Sequence, residues 1–250
     1  MSELKKVYGL WYREVLRYWR EKSRIISSLI TPLLWLLIFG SGMRGMQLSG
    51  TQSYQAFMFP GIVAMTLLFT SVWSGISIIW DREFGFLKEI MVAPISRTSI
   101  VIGKALGSGT SALLQGLILL PLAFLVGVHL SPMSVIILIP IMIIISVGMV
   151  CIGLLIASLI ESMEAFNFIM SLVIMPIFFT SGALFPLTSS PQWLKSLSYV
   201  NPLTYGVDTV RWATFGEANS VLPIYTEIFI IVLFAIAMIV ACSYALNIKK

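Results

Sequence analysis

The stretch from Val135 to Ile160 reads VIILIPIMIIISVGMVCIGLLIASLI and contains no Asp, Glu, Lys or Arg. It is longer than the roughly 20 apolar residues that carry a helix across the hydrocarbon core of a bilayer. Five more apolar runs lie around it: Ile25 to Gly42, Phe57 to Trp80, Ile100 to Val128, Ala165 to Phe185 and Leu222 to Leu246. The whole chain agrees with this pattern. Of its 250 residues 58% are hydrophobic and 11% charged, with a mean hydropathy of +0.96. A soluble domain carries about 25% charged residues, so this chain cannot coat a water-facing surface. The expected fold is all-α: one polytopic membrane domain over residues 1–250 with six transmembrane helices. Pro121 and Pro140 fall inside the third and fourth spans, where kinks are expected.

The segment Ser2 to Arg24 differs. Leu4, Tyr8, Trp11, Val15 and Trp19 recur at spacings of three and four, with Lys6, Arg13, Arg17, Arg20 and Arg24 opposite them. This is the pattern of an amphipathic helix in a membrane interface, its basic face toward anionic lipid headgroups. It does not read as a signal peptide, because too many charges precede the apolar run and no small-residue cleavage site follows.

Orientation follows from the basic residues. Lys5, Lys6, Arg13, Arg17, Arg20, Lys22 and Arg24 precede the first span. Arg82, Lys88, Arg97 and Lys104 surround the loop after the second, and Lys249 and Lys250 end the chain. With six spans these share one side, against Arg44, Lys195 and Arg211 on the other, so both termini are expected in the cytoplasm. The net charge of +5 is gathered in these flanks and argues for a membrane surface, not for nucleic acid. On the outer side, Pro186 to Val221 is too long for a tight turn and carries Trp193, Tyr199, Tyr205 and Trp212, residues suited to the interface belt. Asn201-Pro202 has the form of a helix start, with a short helix over Leu203 to Phe215 on or partly inside the outer leaflet.

Several chemistries have no support in the sequence. No charged residue stands in the middle of a span, where ion-coupled carriers and voltage sensors place theirs. Gly103-Lys104 lacks the other elements of a phosphate loop, so ATP is not bound that way. No nucleophile–base set or facing carboxylate pair suggests a catalytic residue, and no ligand spacing suggests a metal. Cys151 and Cys242 lie in apolar runs, and His129 ends one as an interfacial residue. Gly148, Gly153 and Ala157 are either a seam for close helix approach or glycines a membrane helix simply tolerates.

The loop Asp81 to Ser99 carries the strongest positive signal. Leu87, Ile90 and Met91 form an apolar stripe flanked by Asp81, Arg82, Lys88 and Glu89, and Pro94 stops the helix. Such a helix docks into a partner's groove or merely anchors the turn. The run Arg82-Glu83-Phe84-Gly85-Phe86-Leu87-Lys88-Glu89, continuing through Ala93-Pro94-Ile95-Ser96-Arg97 to Gly103-Lys104, resembles the signature of type-2 ABC exporter permeases. So do Phe179-x-Ser181-Gly182-x-x-Phe185-Pro186 and Asn201-Pro202-Leu203-Thr204-Tyr205 followed by Arg211. The resemblance covers nearly the whole chain and is nearest the branch of daunorubicin-resistance and nodulation-factor export permeases. Phe86 stands where that family often has Thr.

The resemblance implies a prokaryotic plasma-membrane subunit, paired with a second permease as homo- or heterodimer and surrounded by membrane lipid. ATP and Mg would be bound by a separate ABC ATP-binding subunit, and this chain would hold no cofactor of its own. Arg82, Glu83, Gly85, Leu87, Glu89, Pro94 and Arg97 are then the expected coupling residues, with the N-terminal helix as a second route for the motion. The cargo expected is an amphipathic drug-like or lipid-linked molecule, or a polysaccharide or lipo-oligosaccharide. Trp35, Phe39, Phe69, Trp73, Phe178 and Phe179 are candidates to line its path. The rival of another class is a non-transporting scaffold subunit, which a neighbouring gene for a phosphate-loop ATPase would argue against.

The topology has a direct test. A Ser190→Cys variant should react with a membrane-impermeant thiol reagent in intact cells; reaction only after permeabilisation would reverse the orientation.

Overall fold

A computed structural model of the chain describes residues 3–43, 53–83, 85, 95–160, 162–216 and 222–248. Secondary structure among them is entirely helical. Helix α1 spans Glu3–Arg20, and α2, Lys22–Leu34, continues through a π-helical turn at Trp35–Phe39 into the short α3, Gly40–Gly42. Then come α4 (Tyr54–Trp73), α5 (Ile76–Glu83), α6 (Arg97–Leu119) with a 3-10 extension at Leu120–Val126, and α7 (Pro132–Leu159). Helices α8 (Met163–Phe179), α9 (Gln192–Val200), α10 (Pro202–Phe215) and α11 (Ile224–Ile248) complete the chain.

The helix starts are written locally. Ser53, Ser96, Ser131 and Ser162 each sit in extended backbone, and each hydroxyl accepts an N–H three residues on, at 3.0–3.2 Å. Asn201 caps α10 through the Leu203 N–H at 2.9 Å with Pro202 next, as expected from Asn-Pro. These side chains satisfy donors that the first turn cannot pair within the helix. Pro140 stays inside α7, whereas Pro121 coincides with the passage to 3-10 geometry that ends at Gly127.

Five helical segments are long and apolar enough to cross a membrane: Ile25–Gly42, Tyr54–Glu83, Arg97–Val126, Pro132–Leu159 and Ile224–Leu246. The sixth expected span is shorter than the sequence suggested. Helix α8 ends at Phe179, not Phe185, because the chain turns at Thr180 and passes through Gly182 at φ 72°. At 1.5 Å per residue it is about 26 Å long.

The second span is the centre of the bundle, with 72% of its most apolar window buried against 18% in the first span and 28% in the last. Helices α4, α6, α7 and α11 pack around one core, and α10 wedges among α4, α7 and α11. Leu203, Val207 and Val210 are fully buried, so the segment Leu203 to Phe215 goes into the bundle instead of lying on its surface.

Gly148 and Gly153 serve different contacts. A Cβ on Gly148 would stand 3.1 Å from the Phe234 ring, whereas one on Gly153 would overlap the Val72 carbonyl, at the crossing of α7 with the α4–α5 junction. Gly75 faces the Gly153 backbone from the other side. Backbone cannot swing aside as a side chain can. Gly153→Ala should therefore cost about 1–3 kcal/mol by overpacking, read as a lower melting temperature in detergent. Gly9→Ala, with nothing within 4 Å of the new carbon, should show no such loss.

Candidate functional site

Helix α1 lies against α6, and both run in the same direction. Glu3 Oε2 accepts from the Ser99 hydroxyl at 2.7 Å, Trp11 Nε1 donates to Thr110 Oγ1 at 3.0 Å, and the Tyr18 hydroxyl donates to Gln115 Oε1 at 3.3 Å. Gly103 and Gly107 make room for this. A Cβ there would come within 2.7 Å of Leu10 and 2.5 Å of Glu14 respectively. Of the apolar stripe read in the sequence, Leu4, Tyr8 and Trp19 are exposed on the outer side of α1, whereas Trp11 and Val15 are half-buried and Trp11 turns inward to Thr110. The basic face does not behave as a unit. Arg13 and Arg17 were expected toward headgroups; Arg13 instead reaches into the bundle, and Arg17 lies 4.5 Å over the Trp80 ring.

Four charges meet where α1, α5 and α6 converge. Lys104 Nζ contacts Asp81 Oδ2 at 2.5 Å, Ser77 Oγ at 3.1 Å and Glu14 Oε1 at 3.4 Å. Arg13 donates to Asp81 at 2.9 Å and to Glu14 at 3.2 Å. The Lys104 side chain is 1% exposed, those of Glu14 and Asp81 7%, and that of Arg13 38%. Two cations and two carboxylates leave the cluster neutral. Burial alone would make ionised Glu14 costly, but Lys104 and Arg13 outweigh it and hold that carboxyl below the usual range. Burial likewise opposes the Arg13 cation, and Asp81 and Glu14 overcome it, raising its pKa. Near the start of α1, hydrogen bonds from Lys6 and Ser99 lower Glu3 to about 2.

The same region holds both stems of the loop between α5 and α6. Arg82 donates to the Ile160 carbonyl at 2.9 Å, just past the end of α7, and Arg97 donates to the Leu246 carbonyl at 2.9 Å, in the last turn of α11. Both guanidiniums thus sit at helix C-termini, whose partial negative charge favours them. Glu83 is exposed, and Gly85 has φ 79°. Leu87, Glu89 and Pro94, with Ile90 and Met91, lie outside the described residues. Asp81, read in the sequence as a flank of the loop helix, instead belongs to α5 and points inward. Lys104, counted among the loop's basic residues, is enclosed in α6. Lys104 and Glu227 both fall inside spans, near their ends, and the sequence reading had given Glu227 no role.

Five of the six candidate path residues come together. Trp35 stacks on Phe39 at 4.4 Å and meets Phe178 edge-on at 5.8 Å; Phe178 also contacts Phe69 at 6.3 Å and Phe179 at 5.5 Å. Trp73 stands apart, paired with Phe166 at 6.2 Å. Phe69 and Trp73 do share a cleft of about 280 Å³, with Ser27, Thr31, Thr70 and Gln115 among the residues around it and no charged side chain in its lining among the described residues. Among the described residues no three His, Cys, Asp or Glu side chains gather as a metal site.

Removing one member of the four-charge cluster should be severe. Lys104→Met leaves two carboxylates to one arginine and should cost about 3–5 kcal/mol, measured by thermal unfolding in detergent. Adding Glu14→Gln restores neutrality and should recover part of the loss. Because Glu14 is depressed in the folded chain, its contribution is full above the ordinary Glu range. It is lost as pH falls through and below that range.

Comparison with known proteins places this architecture. A family model described as ABC-2 type transporter matches residues 5–215. The chain is 30% identical over 214 residues to the putative transport permease ycf38 of Cyanophora paradoxa, covering 84% of this chain and 74% of the relative. It is 26% identical over 215 residues to nodulation protein J of Rhizobium leguminosarum bv. viciae, covering 84% and 82%. With the inner membrane transport permease YadH of Escherichia coli K12 it shares 24% over 241 residues, covering 94% and 91%. Helices built to cross a bilayer and a family match over most of their length lead to one conclusion: the chain belongs to the ABC-2 type transporter family, as a multi-pass membrane subunit.

Proposed function

We propose that this permease exports an amphipathic drug-like or lipid-linked molecule from the cytoplasm or inner leaflet, driven by ATP hydrolysis in a separate subunit. The observation that carries the proposal is the double clamp on the loop after α5. One stem is tied by Asp81 to α1 and α6 and by Arg82 to the end of α7. The other is tied by Arg97 to the end of α11. A push delivered at the two stems therefore reaches four helices through these contacts. The chain has no phosphate loop of its own, so the push comes from a partner that binds ATP and Mg. Arg82 and Arg97 anchor the loop in this reading, and exposed Glu83 belongs to the surface offered to the partner, to which the sequence pattern adds Leu87 and Glu89.

The cargo reading rests on the aromatic group at Trp35, Phe39, Phe178 and Phe179 and on the neighbouring cleft. Rings beside hydroxyl and amide groups suit a molecule with a flat or apolar part and an uncharged polar part. The same lining suits the sugar face of a lipo-oligosaccharide, which keeps that cargo as the second reading. Helices α2 and α8 leave Ile30, Leu34, Phe168 and Leu172 exposed, as expected of surfaces covered by lipid or a second permease.

Glu83→Lys tests the coupling surface. A charge reversal opposite a buried partner cation should cost about 2–5 kcal/mol of docking energy. Insertion and melting should remain normal, while co-purification with the ATPase, or permease-dependent ATP hydrolysis and export, is lost. Wild-type association and transport in both Glu83→Lys and Glu89→Lys would defeat the assignment and favour a loop that only anchors itself.

A further inference from the structure

An apolar groove of about 430 Å³ opens on the flank of the bundle where α1, α6 and α7 meet, and it shares no lining residue with the cleft beside Phe69. Tyr8 and Trp11 of α1 form one wall, their rings 5.5 Å apart, and Ile143 and Val147 of α7 form the other. Leu106 and Gly109 of α6 lie between them as a floor. A Cβ on Gly109 would stand 3.3 Å from Val147 Cγ2, so glycine keeps that floor low. The polar atoms inside are already paired: Trp11 Nε1 donates to the Thr110 hydroxyl at 3.0 Å, and that hydroxyl donates to the Leu106 carbonyl at 2.7 Å. What remains is a bed for hydrocarbon.

The depth and length of the groove fit one leaflet of a bilayer. Ile143 and Val147 stand on either side of the midpoint of α7, a 28-residue helix without a charged side chain. In a span that is the level farthest from both headgroup layers. At its other end the groove reaches Leu4, beside Glu3, which accepts from Ser99 in the first turn of α6. From Ser99 to Thr110 α6 rises about 16 Å, close to half of the roughly 30 Å hydrocarbon core. A cation stands at this end. Lys5 follows Leu4, is exposed and forms no ion pair among the described residues, whereas Lys6 is held by Glu3 at 2.6 Å. Tyr8, also exposed, lies three residues from Lys5 and so beside it on the helix surface.

We propose that the groove holds one acyl chain of an anionic phospholipid from the leaflet on the loop side, with the phosphate at Lys5 and Tyr8. The chain lies against Leu106 and Gly109 and bridges α1 to α7. This lipid is distinct from the cargo, whose cleft lies elsewhere, and from the lipid that covers apolar faces such as that of Leu233 on α11, which carry no groove.

Native mass spectrometry of the purified full chain, titrated with phosphatidylglycerol or phosphatidylcholine, tests this. The wild type should take up one phosphatidylglycerol saturably and phosphatidylcholine more weakly. Leu106→Trp, which fills the groove from its floor, should lose that adduct, while Leu233→Trp on the exposed face of α11 should keep it. Lys5→Gln should bind phosphatidylglycerol about fivefold more weakly and phosphatidylcholine as before. No saturable adduct, equal uptake of the two lipids, or equal loss in Leu106→Trp and Leu233→Trp overturns the proposal. So does a wild-type dimer that Leu106→Trp splits, since a second copy would then occupy the groove. Should Leu106→Trp fail to fold, phosphatidylglycerol with a photoreactive acyl chain, crosslinked to the wild type, decides. Label gathered on the peptides of Trp11, Leu106 and Ile143 supports the site, and label spread evenly over the exposed faces refutes it.

Discussion

Lys104 carries an ammonium group into a place where its side chain is 1% exposed, and the surrounding helices are arranged to meet it. An ion so far from water is tolerated only when opposite charges and hydrogen bonds replace its hydration. Asp81 and Glu14 supply the charges, Ser77 an acceptor, and Arg13 balances the second carboxylate. Since these side chains come from α1, α5 and α6, the demand of one buried cation fixes how three helices sit together. Gly103 and Gly107 are part of the same solution, for α1 could not bring Glu14 so close over larger side chains.

The rest of the bundle obeys a different constraint. In the apolar spans close packing and satisfied backbone groups must stabilise the fold, because lipid offers no hydrophobic gain for bringing two apolar helices together. Gly75 and Gly153 let backbones touch where α7 crosses the α4–α5 junction. Serine and asparagine caps close the helix starts. Charged groups are confined to the two ends of this packed middle. One cluster sits at the stems of the loop, and the Asp208–Arg211 pair lies where α10 enters the bundle. The helices between them are closely packed.

The position of α1 joins architecture to function. Leu4, Tyr8 and Trp19 face outward, while Glu3, Trp11, Arg13 and Tyr18 bond inward to α5 and α6. A displacement of the loop would reach α1 through Asp81 and α6 through Lys104 together. The aromatic group at Trp35, Phe69 and Phe178 begins beyond Gln115, which accepts from Tyr18 of α1 and from Thr70 of α4. A chain of contacts therefore runs from the loop stems to the cleft through side chains that are already paired.

Much of this fold could be read from composition and local pattern. Lengths of uninterrupted apolar sequence set the spans, since a helix gains 1.5 Å per residue and the bilayer core has a given thickness. Asn201-Pro202 announced the start of α10, and the spacing of Leu4, Tyr8 and Trp19 announced the outer face of α1. The end of α8 was not legible, because Ala183, Leu184 and Phe185 carry the apolar run on past Thr180 and Ser181, and only the turn at Gly182 stops the helix. Which charges meet was not legible either. Glu14, Asp81 and Lys104 are far apart in the chain, and a lysine beside a glycine reads the same whether it ends in water or between carboxylates. Local sequence determines where a helix can start and how far it can run, because those depend on neighbouring residues. Burial and pairing of charge depend on groups that only the packed tertiary structure brings within a few ångströms.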